Sequence, residues 1–251
     1  MIPKIIHFCW FGEKEIPDEY RKYIHSWKIY CPDYKIICWS EKNYDIHKNK
    51  YMEEAYKQKK WGFVPDYARL DIIYRYGGFY LDTDVEMLKS LDGLRNNKVF
   101  FGLESKNFVA LGLGFGAEKG NPLIKQLMEH YENLDFKVRE DGMVLSDASP
   151  VIQTAKLKSI YQTSFSKDKL YRFGDLTIYP TEYLCPENTV TGNVEITNNT
   201  YLWHHYSGSW LTKRQKVVGK IRQKLNKYLP KALAKMYGDQ IERLIIRKTK
   251  N

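Results

Sequence analysis

The sequence predicts a single α/β domain with a mainly parallel central sheet, followed by a basic helical tail. Short, almost continuous apolar runs, such as KIIHFCWF at residues 4–11, are typical of strands that are buried on both faces. Segments with apolar residues at helical spacing lie between these runs, and strands that alternate with helices favour an α/β domain. The length of 251 residues suits one large domain, and no internal repeat, low-complexity tract or linker-like segment divides the chain.

Several of the predicted elements are bounded by turn or capping signals. Pro17 suits the first turn of a helix, and the sequence Cys31-Pro32-Asp33 ends that helix before a second strand. Pro65 begins a further helix, which ends at the pair Gly77-Gly78. The predicted strands are residues 4–11, 35–39, 79–81 and 98–103, and the predicted helices are residues 17–30, 50–60, 65–76, 121–134 and 149–161.

The positive charge of the chain is concentrated at its end. The formal net charge is +10, but residues 213–251 carry 13 Lys or Arg and only two acidic residues, Asp239 and Glu242. Residues 1–212 are therefore close to neutral. We divide the chain into a domain at 1–212 and a tail at 213–251, and we do not expect the domain to bind nucleic acid.

The tail has the pattern of amphipathic helices. Its apolar residues recur at steps of three and four around Pro230, with Lys and Arg between them. They are Val217, Val218, Ile221, Leu225, Tyr228 and Leu229 before the proline, and Leu233, Met236, Tyr237, Ile241, Leu244 and Ile245 after it. One hypothesis is that these helices lie with their apolar face on an anionic membrane surface. The alternative is a terminal helix that packs on its own domain and exposes a solvated basic face.

Composition and cysteine usage favour a reduced protein in the cytoplasm, at most peripheral to the inner face of the membrane. No secretory signal and no long uncharged apolar stretch are recognisable. The four cysteines, Cys9, Cys31, Cys38 and Cys185, form no CxxC pair, so neither disulfides nor a zinc site are expected. Cys9 and Cys38 lie in apolar runs and are expected to be buried.

A pair of carboxylates follows the predicted strand at residues 79–81. Asp82 and Asp84 are one residue apart, so in an extended chain both side chains leave the same face, about 7 Å apart. Two adjacent carboxylates repel each other unless a cation lies between them, and a hard divalent ion prefers such oxygen ligands. The alternative is a solvated turn. The preceding Gly77-Gly78 and the apolar strand favour the metal site, because they fix where the acids lie.

Two blocks of this sequence are similar to a known enzyme family. FVPDYARLDIIYRYGGFYLDTDVE, together with IPKIIHFCWFG, resembles the DXD-containing, sugar-nucleotide-dependent glycosyltransferases of family thirty-two, which include capsule and surface-polysaccharide enzymes and yeast mannosyltransferases. The same core is similar to the glucosyltransferase domain of large clostridial toxins. The resemblance implies a GT-A-like fold and a retaining, metal-dependent hexosyltransferase. It also implies a UDP-sugar donor, although some members use GDP-mannose, and a saccharide or lipid-linked saccharide acceptor in bacterial surface polysaccharide synthesis.

The resemblance also implies which residues would bind the donor. Trp10 would stack on the uracil, and Asn43 would contact the base or the ribose. Asp66 and Arg69 would hold hydroxyls of the donor sugar, and Tyr80 would reach the diphosphate. From the residues alone, Trp10 is equally a core tryptophan, and Asp66 with Arg69 is an intrahelical ion pair.

The metal ligands implied by the resemblance come from two places in the chain. Asp84 would bind the ion directly, and Asp82 would bridge the ion, the ribose and the sugar. The segment WHHYSGSW would supply a third ligand, His205, with His204 as the fallback. Because nitrogen ligands suit the later divalent ions, an imidazole in this set favours Mn²⁺ over Mg²⁺.

Further residues are predicted to close the site and to bind the acceptor. The resemblance implies that Ser209 and Trp210 lie on a loop that closes over the diphosphate and stabilises the leaving phosphate. Chain position places acceptor-binding residues in segments 104–120 and 140–153, with Glu104 and Asp147 as candidates or, equally, as surface charges.

Other function classes remain open at this point. A metal-dependent hydrolase of nucleotide sugars or phosphodiesters would use the same aspartates, but the additional ligands of a two-metal centre are not recognisable in the sequence. A protein-modifying glycosyltransferase is a further alternative, as is a basic binding module in which the aspartates are incidental. The near-neutral charge of residues 1–212 disfavours the binding module.

Overall fold

The computed structural model describes residues 1–105, 107–140, 142–208, 211, 213–230 and 232–237. Its strands are β1 (Ile5–Cys9), β2 (Lys35–Trp39), β3 (Gly78–Tyr80), β4 (Val85–Met87), β5 (Val99–Ser105), β6 (Phe108–Val109), β7 (Phe115–Ala117), β8 (Tyr171–Phe173), β9 (Leu176–Tyr179) and β10 (Leu202–His204). The main sheet has the order β2-β1-β3-β7-β5-β9-β8, with β6 paired to β5, and a small second sheet pairs β10 with β4. Strands β1, β2, β3, β5 and β9 point the same way, whereas β6, β7 and β8 run against them.

Helices cover both faces of this sheet. They are α1 (Asp18–Tyr30), α2 (Lys50–Lys57), α3 (Pro65–Tyr76), α4 (Pro122–Glu132), α5 (Ser149–Tyr161), α6 (Thr181–Leu184) and α7 (Lys213–Tyr228). The core on one face is formed by α2 to α5, and the core on the other by α1, α6 and the small sheet. Neighbouring residues of β3 show the division, since Phe79 belongs to one core and Tyr80 to the other. The predicted α/β domain with a mainly parallel sheet is confirmed.

The sequence predicted the long elements and missed the short ones. The predicted bounds of β2, α3 and α5 match the structure, but β4, β6, β7, β8, β9 and β10 were not predicted. Each of these strands has two to four residues, too few to show a period. The segment GLGFGAEKG, which is part of the predicted acceptor-binding segment 104–120, contains the buried central strand β7. Gly116 lies so close to Phe79 and Phe100 that an added Cβ would stand 3.1 and 2.8 Å from their rings.

The four cysteines differ in burial. All four are free, and Cys9, Cys31 and Cys185 are buried. Cys38 is exposed, so the prediction that it is buried was wrong. It lies in β2, which is an edge strand of the main sheet and therefore has a solvent-facing side.

A buried histidine, His7, stabilises the turn between α3 and β3 through a hydrogen bond. Gly77 and Gly78 have φ values of +66° and +102°, and an added Cβ at Gly78 would lie 2.6 Å from the Ile5 carbonyl oxygen. His7 accepts a hydrogen bond from Trp39 Nε1 at Nδ1 (3.1 Å), so its Nε2–H donates to the Gly77 carbonyl (3.0 Å). Burial lowers the pKa of His7 to about 4, which keeps the ring neutral. The neutral tautomer thereby fixes the turn that leads into β3.

The described part of the tail is helical, as predicted. Helix α7 covers residues 213–228, and residues 232–237 are also helical. Val218 is buried, and Ile221 and Leu225 are half-buried, so these apolar positions do not form a freely exposed face. The predicted apolar residues Ile241, Leu244 and Ile245 lie outside the described residues. No helix in the described ranges has the length and hydropathy that crossing a bilayer requires.

Candidate active site

The two aspartates lie directly beyond the carboxyl end of β3. Leu81 is buried, and its N–H donates to the His7 carbonyl at 3.0 Å, which extends the pairing of β3 with β1. The Val85 N–H then donates to the Asp82 carbonyl at 3.1 Å, so a tight turn joins β3 to β4. Asp82 and Asp84 are therefore held on a backbone that is hydrogen-bonded on both sides.

His204 completes the cluster from the far end of the chain. It is paired with Val85 in the antiparallel ladder of β10 with β4, which brings its ring beside Asp84. The distance from His204 Nε2 to Asp84 Oδ1 is 3.2 Å. One ligand atom each from Asp82, Asp84 and His204 lies within 4.8 Å of the others. Among the described residues, this is where two carboxylates and an imidazole converge.

His205, the predicted third metal ligand, points elsewhere, and the fallback His204 takes its place. His205 Nε2 lies 2.8 Å from Glu86 Oε2. Its ring is stacked between Tyr23 and Trp203, at centroid distances of 4.4 and 4.2 Å. The correction follows from side-chain alternation, because adjacent residues of an extended segment face opposite sides.

The donor set fits a divalent cation. Two carboxylate oxygens and one imidazole nitrogen suit ions such as Mn²⁺ or Mg²⁺, and the imidazole favours Mn²⁺. A set of three protein ligands also leaves coordination positions for oxygens of a substrate. The Asp82–Asp84–His204 cluster therefore has the composition that the DXD pattern predicts, with one histidine exchanged for its neighbour.

Hydrogen bonds and charges keep Asp84 ionised. Burial alone would raise its pKa, but His204 and Ser207 outweigh burial and lower the pKa of Asp84 below its usual range. Ser207 donates to Asp84 Oδ2 from its backbone N–H at 3.0 Å and from its hydroxyl at 2.8 Å. Burial tends to lower the pKa of His204, yet Asp84, followed by Asp82, raises it overall. Ser207 was not predicted as a site residue, although it lies in the WHHYSGSW segment.

Asp82 is linked to a buried ion pair on α3. Arg69 Nη2 lies 2.9 Å from Asp66 Oδ1 and 3.6 Å from Asp82 Oδ1. Asp66 and Arg69 are 2% and 3% exposed, so this pair is almost fully desolvated. Asp66 and Arg69 therefore form the intrahelical ion pair expected from the residues alone, and that pair adjoins the aspartates. Their contact with hydroxyls of a donor sugar stays a prediction.

Burial brings the pKa of Asp66 close to neutral pH. Desolvation raises the pKa of Asp66 to about 7, and the charge of Asp82 adds to this, against the opposing effect of Arg69. Ser149, the first residue of α5, and Tyr51 contact the same carboxyl group by hydrogen bonds. Neither residue was predicted, because their contacts with α3 depend on tertiary packing.

Tyr80 lies behind the aspartates. Its side chain is 1% exposed, and its hydroxyl lies close to Cys9 and to Asp82. The Arg69 guanidinium lies over the Tyr80 ring, 5.2 Å from its centroid. In this structure Tyr80 therefore orients Asp82 and Arg69, whereas the resemblance implied direct contact with a diphosphate.

A glycine leaves room for the Asp82 carboxylate. An added Cβ at Gly112 would lie 2.4 Å from Asp82 Oδ2, closer than any ordinary contact. Gly112 belongs to the short 3₁₀ helix Leu111–Leu113, which precedes β7. The glycine-rich segment thus approaches the DXD motif, a relationship that the sequence did not reveal.

The residues predicted to bind the base lie at the neighbouring strand ends. Trp10 follows β1, is half-buried, and donates from Nε1 to the Lys14 carbonyl at 2.6 Å. Its ring centroid is 5.6 Å from that of Tyr20, whose hydroxyl is hydrogen-bonded to Ser207. The two rings thus connect the end of β1 with the Asp82–Asp84–His204 cluster, which we call the metal-ligand cluster.

Asn43 has a structural role in the turn after β2. Its Oδ1 accepts from the Ser40 N–H, and its Nδ2 donates to the Cys38 carbonyl, both at 2.9 Å. The amide group that was predicted to bind the base or ribose is thus engaged within the protein.

Glu104 borders the cluster on the side opposite Trp10. It lies in β5, which is separated from β3 by β7 alone in the sheet order. Burial raises the pKa of Glu104, against the opposing effects of His204 and of a hydrogen bond with Tyr206. The Tyr206 hydroxyl also lies 2.8 Å from Cys185 Sγ. Asp147, the other acidic acceptor candidate, is exposed.

Two predicted residues are not placed by the structure. Ser209 and Trp210, which the resemblance assigned to a closing loop, lie outside the described residues. Their predicted roles stay predictions.

Several known proteins are similar to this chain. The model of a family described as "Glycosyltransferase sugar-binding region containing DXD motif" matches residues 17–101, a span that contains Asp66, Arg69, Asp82 and Asp84. Inositol phosphoceramide mannosyltransferase 3 of Schizosaccharomyces pombe is 28% identical over 143 residues, which cover 54% of this chain and 38% of that enzyme. The chain therefore spans well under half of this curated relative.

Two further proteins are similar over more of their length. The uncharacterized glycosyltransferase L373 of Acanthamoeba polyphaga mimivirus is 27% identical over 229 residues, with 84% of each chain covered. A solved structure titled "PaToxG Glycosyltransferase" superposes on 64% of this chain and 70% of its own, with a TM-score of 0.49 and 20% identity. The family model and these curated relatives describe glycosyltransferases, which is the class of enzyme that the sequence predicted.

Proposed function

We propose that the protein is a metal-dependent glycosyltransferase that moves a hexose from a nucleotide-diphosphate sugar to a hydroxyl group of a saccharide or lipid-linked saccharide. The observation that carries the proposal is the convergence of Asp82, Asp84 and His204 at the carboxyl edge of the sheet. In α/β sheets, this edge is where ligands bind. Membership of family thirty-two, transfer with retention and a part in surface polysaccharide synthesis belong to the proposal and are supported by the sequence resemblance.

The donor would lie along the edge of the sheet from β1 to β3. Trp10 and Tyr20 offer aromatic surface for the base next to the metal-ligand cluster. When bound, a divalent ion would neutralise the charge that develops on the diphosphate as the sugar departs. Asp82, Asp84 and His204 would hold that ion, and Mn²⁺ is the proposed one. Asp66 and Arg69 would hold sugar hydroxyls from the α3 side.

The identity of the donor is proposed more narrowly as a UDP-hexose. The resemblance supports UDP, whereas the name of the fission-yeast relative specifies mannose transfer, which makes GDP-mannose the principal alternative. The same name specifies inositol phosphoceramide as acceptor, and this supports a lipid-linked acceptor here. We further propose a cytoplasmic location, peripheral to the inner face of the membrane, on the basis of the basic segment 213–251.

The test is nucleotide release from a panel of UDP- and GDP-sugars, with Mn²⁺ or with EDTA and without acceptor. We expect slow hydrolysis of one donor, abolished by EDTA. Asp84→Asn should lower the rate about a thousandfold, because it removes a ligand and a charge where the leaving group is stabilised. Asp168→Asn, at an exposed position on a distant loop, is the matched control and should leave the rate unchanged.

The same panel separates transfer from hydrolysis. Addition of a mixture of saccharide and lipid-linked saccharide acceptors should speed nucleotide release and yield a glycosylated product. Nucleotide release that no acceptor accelerates would favour a hydrolase. Release that is insensitive to EDTA and to Asp84→Asn would contradict the proposed metal site.

A further inference from the structure

Helix α7 is anchored to the rest of the chain through polar contacts on one side. Gln223 Nε2 donates to the Thr189 carbonyl at 3.1 Å, and Asn226 Nδ2 donates to the Val190 carbonyl at 3.3 Å. Val218, on the adjoining side of the helix, is only 8% exposed. These contacts define which face of α7 is covered and which face is exposed.

The turn that receives α7 is itself ordered. Asn188 Oδ1 accepts hydrogen bonds from the N–H groups of Val190 and Thr191, at 3.0 and 3.1 Å. The Asn188 N–H donates to the Asn193 carbonyl at 2.8 Å, and an isolated bridge pairs Glu187 with Val194. The Thr189 and Val190 carbonyls that bind α7 therefore belong to a hydrogen-bonded turn.

The opposite face of α7 combines lysines with apolar side chains. At about 100° per residue, Val217, Lys220, Lys224, Lys227 and Tyr228 fall within roughly 100° of the helix circumference. All five are exposed, Val217 by 52% and Tyr228 by 75%. We call these five residues the exposed face of α7.

The positive charge of this helix favours an anionic partner. The sequence of α7, KRQKVVGKIRQKLNKY, contains seven Lys or Arg and no acidic residue. A cationic stripe with an apolar residue near one end and a tyrosine at the other is the composition of helices that lie at an anionic lipid surface. Tyrosine suits this position because its ring is apolar and its hydroxyl is polar.

We propose that the exposed face of α7 docks the protein on an anionic lipid bilayer. The lysines would contact headgroups, while Val217 and Tyr228 would enter the interface. The surface differs from the one that the sequence predicted, because Val218, Ile221 and Leu225, expected to face the membrane, are covered wholly or in part by the chain itself. The inference deepens the proposed peripheral location and does not depend on the proposed sugar transfer.

The experiment is sedimentation of the full chain with lipid vesicles. We expect binding to vesicles of phosphatidylcholine with phosphatidylserine, weakened by salt, and no binding to vesicles of phosphatidylcholine alone. The variant Lys220→Gln/Lys224→Gln/Lys227→Gln should bind about a hundredfold more weakly, because each lysine near such a surface contributes about 1 kcal/mol. Glutamine is a good helix former, so the helix should persist, and circular dichroism checks this.

The control is a variant with the same change in net charge at other exposed lysines, Lys22→Gln/Lys119→Gln/Lys125→Gln. It should bind the anionic vesicles like the unchanged protein. Equal loss in both triple variants would overturn the proposal, because binding would then follow net charge alone. Tighter binding to an RNA oligonucleotide than to the vesicles, with the same dependence on the α7 lysines, would also overturn it in favour of nucleic acid.

The apolar residues of the exposed face of α7 allow a second, independent test of the proposal. Val217→Ser/Tyr228→Ser retains every lysine and should reduce the vesicle binding that survives at high salt. No change in that fraction would overturn the interfacial position of these two side chains. Donor hydrolysis, measured in parallel without vesicles, should be the same in all these variants, so failure of docking and failure of the proposed chemistry are distinguishable.

Discussion

The two parts of the metal-ligand cluster are built in different ways. Asp82 and Asp84 follow directly from β3, and the glycine turn that directs this strand is fixed by a hydrogen bond from His7. His204 comes from about 120 residues further along the chain, through a three-residue ladder of β10 with β4. The aspartates are thus positioned by local sequence and the histidine by the register of two short strands.

This difference explains why Asp82 and Asp84 were predicted correctly as neighbours in the cluster, whereas the predicted histidine, His205, is one residue away from His204. A glycine pair, an apolar strand and two acids at fixed spacing are visible in the sequence. The register of β10 is not, and a shift of one residue would exchange the sides that His204 and His205 face. Functional residues that are close together in the sequence can therefore be recognised from the sequence itself. The position of a distant ligand depends on how two strands pair.

Among the changes that test how each part of the cluster is positioned, the largest effect is expected from replacing the two histidines separately. His204→Ala should weaken Mn²⁺ binding at least about a hundredfold, since even residues outside the ligand shell commonly cost 10- to 100-fold. His205→Ala should leave the Mn²⁺ affinity unchanged and lower the melting temperature, because it removes the stack with Tyr23 and Trp203 and the contact with Glu86.

Titration of each variant with Mn²⁺, followed by electron paramagnetic resonance of the free ion, measures these affinities. The two single variants are matched controls for each other, as both remove one imidazole from adjacent positions. A greater loss of affinity in His205→Ala than in His204→Ala would restore the original prediction and contradict the β10 register.

Much of the fold and about half of the site could be predicted from the sequence. Helix α3 was placed at its observed bounds because Pro65 and the Gly77-Gly78 pair mark both ends. Gly112, Ser149 and Ser207 were missed because each meets the aspartates or Asp66 only after distant segments have packed together. The amide of Asn43 binds the backbone of its own turn, a role that the sequence did not predict although asparagine is common in turns for this reason.

An intermediate effect is expected on the local part, through His7. Its pKa in the folded protein is about 4, against an ordinary value of 6.5. Below pH 6.5 the unfolded chain takes up a proton that the buried ring does not, so stability falls as the pH decreases towards 4. Between pH 7 and pH 5, this linkage should cost about 2 kcal/mol of unfolding free energy.

Urea unfolding of the unchanged protein and of His7→Gln at both pH values isolates this contribution. His7→Gln should be the less stable protein at pH 7, and the gap should shrink by about 2 kcal/mol at pH 5. His25→Gln removes an exposed imidazole and controls for the loss of a ring. A gap that is the same at both pH values would mean that His7 is not the buried, neutral group that holds the glycine turn.

The smallest expected effect concerns Glu104, on the distant side of the cluster. Its carboxyl group lies beside His204 and Tyr206, on the side of the Asp82–Asp84–His204 cluster away from Trp10. We propose that the acceptor approaches from this side. A hydrogen bond from a sugar hydroxyl to a carboxylate is stronger than one to an amide, so Glu104→Gln should raise the KM for acceptor about tenfold. Donor hydrolysis without acceptor should be unchanged, and Glu129→Gln, exposed on α4, should alter neither rate. If donor hydrolysis fell together with transfer, Glu104 would act with the metal ligands and not on the acceptor.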